Sequence, residues 1–358
     1  MDPVHPGGVT AVVSGLRDAG LAEGAELTEI WTTRWDDPAP RQLLHAARAF
    51  LALLVALLRR RLDLVHLHVS TGGSIVRKAV FARMARLLGV PTVVHLHSGD
   101  LERWCAESAG HRAVARSLLG GARVVLVTAP AWLEYPRLYG ATDVRVVPNG
   151  LARATVAALG RARKTRPAPI VAPDPPAVPT VLYYGRWVDL KGPDLLGPAL
   201  AALAEAHPDR DFRLRVFGNG DRAWLEPHLA PLGERVTIGG WLDDAGKERE
   251  LAAASVLAVP SRKEGFGQVL LEGIAAGIPI VASDAGAIPT VLAGYEPATI
   301  VPTGDPDALA QALAAYLWPT DAQRAATPDA SPYPEAFTHE TIARTVLEIY
   351  REIAAARS

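Results

Sequence analysis

The chain has 358 residues, with 37 Lys and Arg against 38 Asp and Glu, a formal net charge of -1 that gives no electrostatic reason for a nucleic-acid partner. Its single cysteine, Cys105, excludes an intramolecular disulfide and fits a reducing compartment. The length points to two domains with separate cores, and no signal peptide is visible at the N-terminus, so a cytoplasmic location is expected.

In chain order, Gly7-Gly8-Val9 precedes a helical pattern from Thr10 to Ala19, a weak signal for close approach to a phosphate and as readily a plain turn. Glu26 to Thr33 reads as a strand and Arg41 to Arg60 as a long helix. The apolar run Ala46 to Leu58 contains Arg48 and ends in Arg59-Arg60-Arg61, too short and too charged to span a bilayer. It reads as a packed amphipathic helix, or as a membrane-surface helix with a basic end. Strands are expected at Leu62 to Val69, Pro91 to Leu96, Arg123 to Thr128 and Val144 to Val147. Between them lie helices at Ser74 to Leu88, Arg112 to Leu119 and Ala131 to Tyr139. Alternation of this kind makes a parallel sheet covered on both faces, with ligands beyond the carboxyl ends of its strands. Pro148-Asn149-Gly150 closes the unit. Residues 151–179 are first basic, then proline-rich, and read as a linker with a mobile front half and a stiffer second half.

A second alternating unit follows, with strands at Thr180 to Tyr184, Arg213 to Phe217, Arg235 to Ile238, Val256 to Val259 and Ile278 to Ala282. Its helices include one running through Ala206, then Gly246 to Ala254, Gln268 to Ala276 and Asp307 to Leu317. Thr338 to Ala355 is a last helix, apolar at Ile342, Val346, Ile349 and Ile353.

Three groups of residues could carry chemistry. The loop between Val259 and Gln268 holds Gly265 and Gly267, which let the backbone approach a ligand, and leads into a helix whose N-terminal amides favour an anion. Two acids flank it, Glu264 in the loop and Glu272 about two turns away. Carboxylates beside an anion site suit sugar or ribose hydroxyls, whose O–H groups they accept in charge-assisted bonds. Arg186 and Lys191, in the loop after the Thr180 to Tyr184 strand, can both reach a diphosphate or can stand as solvated charges. Leu64-Val65-His66-Leu67-His68 and Val93-Val94-His95-Leu96-His97 each place two imidazoles on one strand face. Such pairs on neighbouring strands raise zinc as a ligand, but no nearby cysteine or carboxylate cluster has metal-site spacing, so no metal is expected. His97 ends its strand and is placed to face a ligand, whereas His66 and His95 read as core residues.

Taken together, Gly7-Gly8-Val9, the His97 region, Val147-Pro148-Asn149-Gly150, Gly185-Arg186 with Lys191-Gly192, Phe217-Gly218-Asn219-Gly220, Gly239-Gly240-Trp241 and the acid-x7-acid segment Glu264 to Glu272 resemble the retaining glycosyltransferases of family 4. The pieces cover nearly the whole chain in the family's order, and the acid-x7-acid element with its upstream Arg/Lys loop is the specific part. His68-x-Ser70 and Arg77-Lys78 are similar to the bacterial polysaccharide-assembly branch. The resemblance implies the α/β GT-B fold, two Rossmann-like domains facing across a cleft. An acceptor-side domain would span 1–150, a linker 151–179 and a nucleotide-sugar-binding domain 180–337. A C-terminal helix at 338–358 would cross back to the N-terminal domain.

By the same resemblance Arg186 and Lys191 hold the diphosphate of a UDP- or GDP-sugar donor, and Glu272 binds the ribose. Glu264 lies near the donor sugar with the Gly265, Phe266 and Gly267 backbone beside it. Gly8 lets the N-terminal domain approach the diphosphate, His97 lies near the transferred sugar, and the Gly218 and Trp241 segments border the nucleotide. No cofactor is implied. The acceptor is a hydroxyl, and a lipid-linked one would explain the apolar-basic helix and a peripheral contact with the inner face of a membrane.

Three departures stand out. Only Met1 to Pro6 precedes the Gly-Gly pair, so the family's first strand is expected to be absent or to lie upstream. Thr290 stands where the family's Gly-Gly-x-x-Glu has its acid, and Ser98, not glycine, follows His97. The expected activity is sugar transfer in cell-surface polysaccharide or glycolipid assembly. A sugar-nucleotide epimerase of similar fold, or a non-catalytic nucleotide-sugar binder, are the alternatives; an epimerase would convert a donor with no acceptor present.

Overall fold

The computed structural model describes residues 8–32, 39–59, 61–165, 178–321 and 332–356, and the chain divides into two compact units, residues 1–152 with 335–358 and residues 153–334.

The first unit is built on a four-stranded parallel sheet in the order β1 (Val65–Val69), β2 (Thr92–Leu96), β3 (Val124–Val127), β4 (Val144–Val146). Its inner strands β2 and β3 are mostly β-branched and leucine residues and buried throughout, the pattern of a sheet covered on both faces, whereas β1 alternates valine and leucine with His66 and His68. One face carries Val65, Leu67 and Val69 and packs against helices α2 (Ala39–Leu58), α3 (Gly73–Leu87) and α4 (Ala109–Leu119). The other face carries Val93, Val124 and Leu126. It is covered by α1 (Gly8–Leu16) and by the closing helix His339–Ala355, which buries Ile342, Val346, Ile349 and Ile353 at the spacing of one helical stripe. The chain returns to this unit at Leu151, whose backbone N–H donates to Phe337 O and whose carbonyl accepts from His339. Gly150 permits the approach, since a Cβ there would lie 2.3 Å from Phe337 O.

Two expectations change here. A strand is expected at 26–33, but residues 26–32 join no ladder among the described residues, and only Leu27 and Ile30 of them reach the core clusters. Helix α2 has the length expected from 41–60, 20 residues, but by length and composition it is apolar enough to cross a membrane, unlike the apolar run Ala46 to Leu58 taken alone. Only Ala49, Leu53 and Leu57, one residue per turn, are buried in the unit's core. Leu54 is half-buried beside them, but much of the other apolar surface is exposed, Leu43 to 73% and Leu51 to 59%, so the fully packed reading of this helix does not hold. Residues 1–7, including Gly7 and the stretch before it, lie outside the described residues.

The second unit holds a six-stranded parallel sheet in the order β10-β9-β8-β5-β6-β7. The strands are β5 (Thr180–Trp187), β6 (Arg213–Gly220), β7 (Val236–Gly239), β8 (Val256–Val259), β9 (Ile280–Ser283) and β10 (Ala298–Val301). The order reverses between β5 and β8, a switch point of the kind that opens a crevice at the strands' carboxyl ends. Residues 153–165, expected as mobile linker, form helix α5 (Arg153–Thr165) of this unit. It packs against α7 (Asp244–Ala253) and α8 (Gln268–Ala276), and α6 (Leu196–Ala206) and α9 (Pro306–Leu317) fill the core that contains Leu200 and Leu313. Residues 166–177, most of the proline-rich half of that segment, lie outside the described residues.

Candidate active site

At the carboxyl end of β5 the chain makes two short 3-10 turns, Asp189–Lys191 and Pro193–Leu195, hinged at Gly192. Gly192 adopts φ +67°, and a Cβ there would sit 2.0 Å from Pro260 O, so only glycine lets this loop pass the β8 loop so closely. The two loops are then tied together. Leu190 O accepts from the backbone N–H groups of Arg262 and Lys263 at 3.0 and 3.1 Å. The Arg262 guanidinium grips Asp194 bidentately, at 2.8 and 2.6 Å, and donates to Asp189 O at 2.8 Å.

This clamp fixes Lys191 against Glu264. The ammonium donates to Glu264 Oε2 at 2.7 Å, and Ser261 Oγ donates to the same oxygen at 3.4 Å. Glu264 is 6% exposed, and its backbone carbonyl accepts from Ala287 N–H at 3.1 Å. The segment that carries Thr290 therefore folds back on the Glu264 loop, with the Thr290 side chain itself exposed. An ammonium has three protons, so the Glu264 bond leaves donors on Lys191 for a second anion. Beyond Glu264, Phe266 is buried and Gly267 takes φ +93° to open α8 with no side-chain cap. The start of that helix carries the partial positive charge of a helix N-terminus.

Glu272 lies inside α8, 7% exposed, and its two oxygens have separate partners. Tyr184 OH donates to Oε2 at 2.8 Å and Lys247 Nζ to Oε1 at 2.8 Å. Burial, then the adjoining carboxylate, pushes the Tyr184 hydroxyl well above its ordinary range, so it stays protonated and donates. For Lys247 burial is the largest influence and works to lower the pKa, but the charge and hydrogen bond of Glu272, with the Asp244 charge, together outweigh it and hold the ammonium above its ordinary value. A carboxylate with two oxygens and about four acceptor sites can still take the two O–H groups of a vicinal diol. Neither Lys247 nor Tyr184 was among the residues singled out from sequence.

Arg186 is exposed on the last turn of β5, its backbone carbonyl held by Tyr183 OH at 2.9 Å. In the ladder it faces Asn219, and the preceding pair is Gly185 with Gly218, which takes φ +149° and where a Cβ would meet Gly185 O at 1.7 Å. Gly218 N–H donates to Gly240 O, which brings the Trp241 segment alongside, and Trp241 is 49% exposed. Arg186, Lys191, Gly218, Trp241, Glu264, Gly265, Phe266, Gly267 and Glu272 thus all belong to the second unit, at or beyond the carboxyl ends of its strands.

Gly8 and His97 belong to the first unit. Gly8 opens α1. His97 follows β2, where its N–H donates to Val69 O at 2.9 Å, and its Nε2 lies 2.9 Å from Nδ1 of His68. Burial lowers its pKa to about 4, so the ring is neutral at physiological pH.

Residues 178–317 match the model of "Glycosyl transferases group 1", and residues 8–150 match that of a "Glycosyl transferase 4-like domain". A phosphatidyl-myo-inositol mannosyltransferase of Mycobacterium leprae is 31% identical over 341 residues, 87% of this chain and 84% of that protein. A D-inositol 3-phosphate glycosyltransferase of Corynebacterium diphtheriae is 28% identical over 87% of this chain and 74% of its own length. Among solved structures, sucrose-phosphate synthase from Thermosynechococcus elongatus aligns with a TM-score of 0.71 at 22% identity, over 99% of this chain and 97% of that one. Anabaena HepE, in complex with UDP and glucose, aligns with a TM-score of 0.65 at 21% identity, over 98% and 96%. These neighbours are GT-B enzymes, and both units here have the Rossmann-like arrangement of that fold. The chain belongs to the family 4 retaining glycosyltransferases, enzymes that move a sugar from a nucleotide sugar to an acceptor in glycolipid or polysaccharide assembly.

Proposed function

We propose that the second unit binds a UDP- or GDP-sugar, with Arg186 and Lys191 on the diphosphate, Glu272 on the ribose and Glu264 on the donor sugar. The observation that carries this reading is the pair of buried carboxylates either side of the α8 N-terminus, each held by its own lysine at 2.7 or 2.8 Å. Gly218 and Trp241 then border the nucleotide, and the Gly265, Phe266 and Gly267 backbone lies beside the sugar. Gly8 and His97 are the first unit's contribution, at the diphosphate and the transferred sugar.

The chemistry is leaving-group stabilisation. As the bond from the anomeric carbon to the phosphate oxygen breaks, its electron pair goes to the diphosphate, whose new charge meets Arg186, Lys191 and the α8 amides. The acceptor hydroxyl attacks the same face of the sugar, its oxygen bonds to the anomeric carbon, and its proton passes to the departing phosphate oxygen. Configuration is retained without an enzyme nucleophile. The test is nucleoside diphosphate release from the donor. Lys191→Ala and Arg186→Ala should each slow it about 100-fold or more, the scale seen when one preorganised donor at a developing charge is removed. Full rates in both variants would reject this mechanism.

A specific observation favours a lipid-linked acceptor. α2 exposes Leu43, Leu44, Leu51 and Leu58, and the neighbouring α3 exposes Val76 and Val80, with Arg41 and Arg48 exposed on α2 and Arg59 exposed just past its end. An apolar surface rimmed by arginines suits the headgroup region of an anionic membrane. The full chain should cosediment with vesicles containing anionic lipid, and Leu43→Ser with Leu51→Ser should release it. Equal binding by that double variant would assign the contact elsewhere.

A further inference from the structure

Beyond the transfer reaction, the first unit carries an unusual array on the sheet face that the closing helix covers. His66 and His68 of β1 stand beside His95 of β2 and the adjoining His97, ring upon ring. Centroids are 4.1 Å apart along each strand and 5.5 and 5.2 Å apart across them. A core built only to fill space would use valine or leucine here, as the same strands do on their other face.

We infer that this array is a binding site for a divalent transition cation of the zinc type, held by His66, His68 and His95. A ligating nitrogen of each ring lies within 4.8 Å of those of the other two. The outer hydrogen bonds fit that role. His66 spends Nδ1 on Tyr350 OH at 2.6 Å, and its buried Nε2 has no partner among the described residues. His68 spends Nδ1 on His97 at 2.9 Å, which leaves its Nε2 for a cation. Among the described residues neither nitrogen of the fully buried His95 makes a hydrogen bond of good geometry, although the Val147 backbone lies near enough to favour its charged form. A metal-bound imidazole commonly passes its other N–H to an outer partner, and Tyr350 and His97 are such partners. Burial keeps all four rings neutral, His66 at about 3 and His97 at about 4, with His68 and His95 well below the ordinary value. The neutral ring is the ligand form, so no proton need be displaced near neutral pH. Zinc–nitrogen bonds of about 2.0–2.1 Å would draw the three rings closer and leave a fourth position open. A cation on Nε2 of His68 puts that ring's proton on Nδ1, to be donated to His97, so occupancy would also set the tautomer of His97.

The test uses the full chain stripped with chelator and titrated with zinc alone, and with cobalt as a spectroscopic substitute. One equivalent of zinc should bind, and cobalt should give the visible absorption of a low-coordinate nitrogen site. The His66→Gln, His68→Gln double variant should lose the cobalt band and at least about tenfold in zinc affinity, with the fold confirmed by circular dichroism. Tyr350→Phe keeps the helix packing and all three ligands, and should weaken zinc about 10- to 100-fold as an outer-partner loss does. No stoichiometric zinc in the unaltered chain, or an affinity unchanged in the double variant, would overturn the assignment.

Discussion

Glu272 and Lys247 are 25 residues apart in the chain and 2.8 Å apart in space. The sequence made Glu272 legible because it follows Glu264 at a fixed spacing on one helix. It could not show Lys247, whose position depends on how α7 packs on α8, or Tyr184, which reads from sequence as one more apolar strand residue. The pairing has consequences that separate binding from stability. Glu272→Ala should weaken nucleoside diphosphate binding about 10- to 100-fold, the worth of hydrogen bonds to a charged acceptor, and titration calorimetry reads this directly. Lys247→Ala instead strands a mostly buried carboxylate. Because Lys247 keeps 21% of its side chain exposed and Tyr184 remains, the cost should be roughly 2–3 kcal/mol, below that of a fully buried pair. Urea unfolding measures it, and an unchanged midpoint would show that Tyr184 alone supports Glu272.

At the scale of elements, the loop after β5 shows what a glycine can and cannot announce. Gly192 was readable as part of a Lys-Gly pair. Its reason, the passage of the loop 2.0 Å from where Pro260 O would meet a Cβ, appears only once two strands distant in sequence lie side by side. Gly192→Ala should therefore lose roughly 1–3 kcal/mol of stability from backbone strain, plus donor binding as Lys191 shifts. A circular-dichroism melt paired with the calorimetry separates the two effects. Helix α5 was hidden in a basic stretch that reads as linker, because its stability comes from packing on α7 and α8 and not from its own composition. The strand expected at 26–33 had the right composition, yet its described residues find no ladder partner. The histidine array adds a pH dependence. His66 and His97 titrate near 3 and 4 when folded and near 6.5 when unfolded, so between these values the unfolded chain binds more protons. Their contribution is intact above about pH 6.5 and falls as the pH drops toward 4. In chelator, thermal unfolding should shift down across that window, and His66→Gln should flatten the shift.

For the molecule as a whole, two alternating units were legible from sequence, since the switch between strand and helix periodicity repeats along both halves. The closing helix was legible too, and its buried stripe of Ile342, Val346, Ile349 and Ile353 seals one face of the first sheet. The sequence carried less about α2, where an apolar run signals burial and surface attachment alike, and the structure adds that Leu43, Leu51 and Leu58 are exposed. The central claim is that Lys191, Glu264 and Glu272 form the donor site of a sugar-transferring enzyme. A panel of UDP- and GDP-sugars, incubated with the purified chain while nucleoside diphosphate release is followed, tests it most directly. The account predicts slow release from one donor, with no accumulation of an epimerised nucleotide sugar, and its near-abolition in Lys191→Ala. Release from no donor, conversion to an epimer, or an unchanged rate in Lys191→Ala would contradict it.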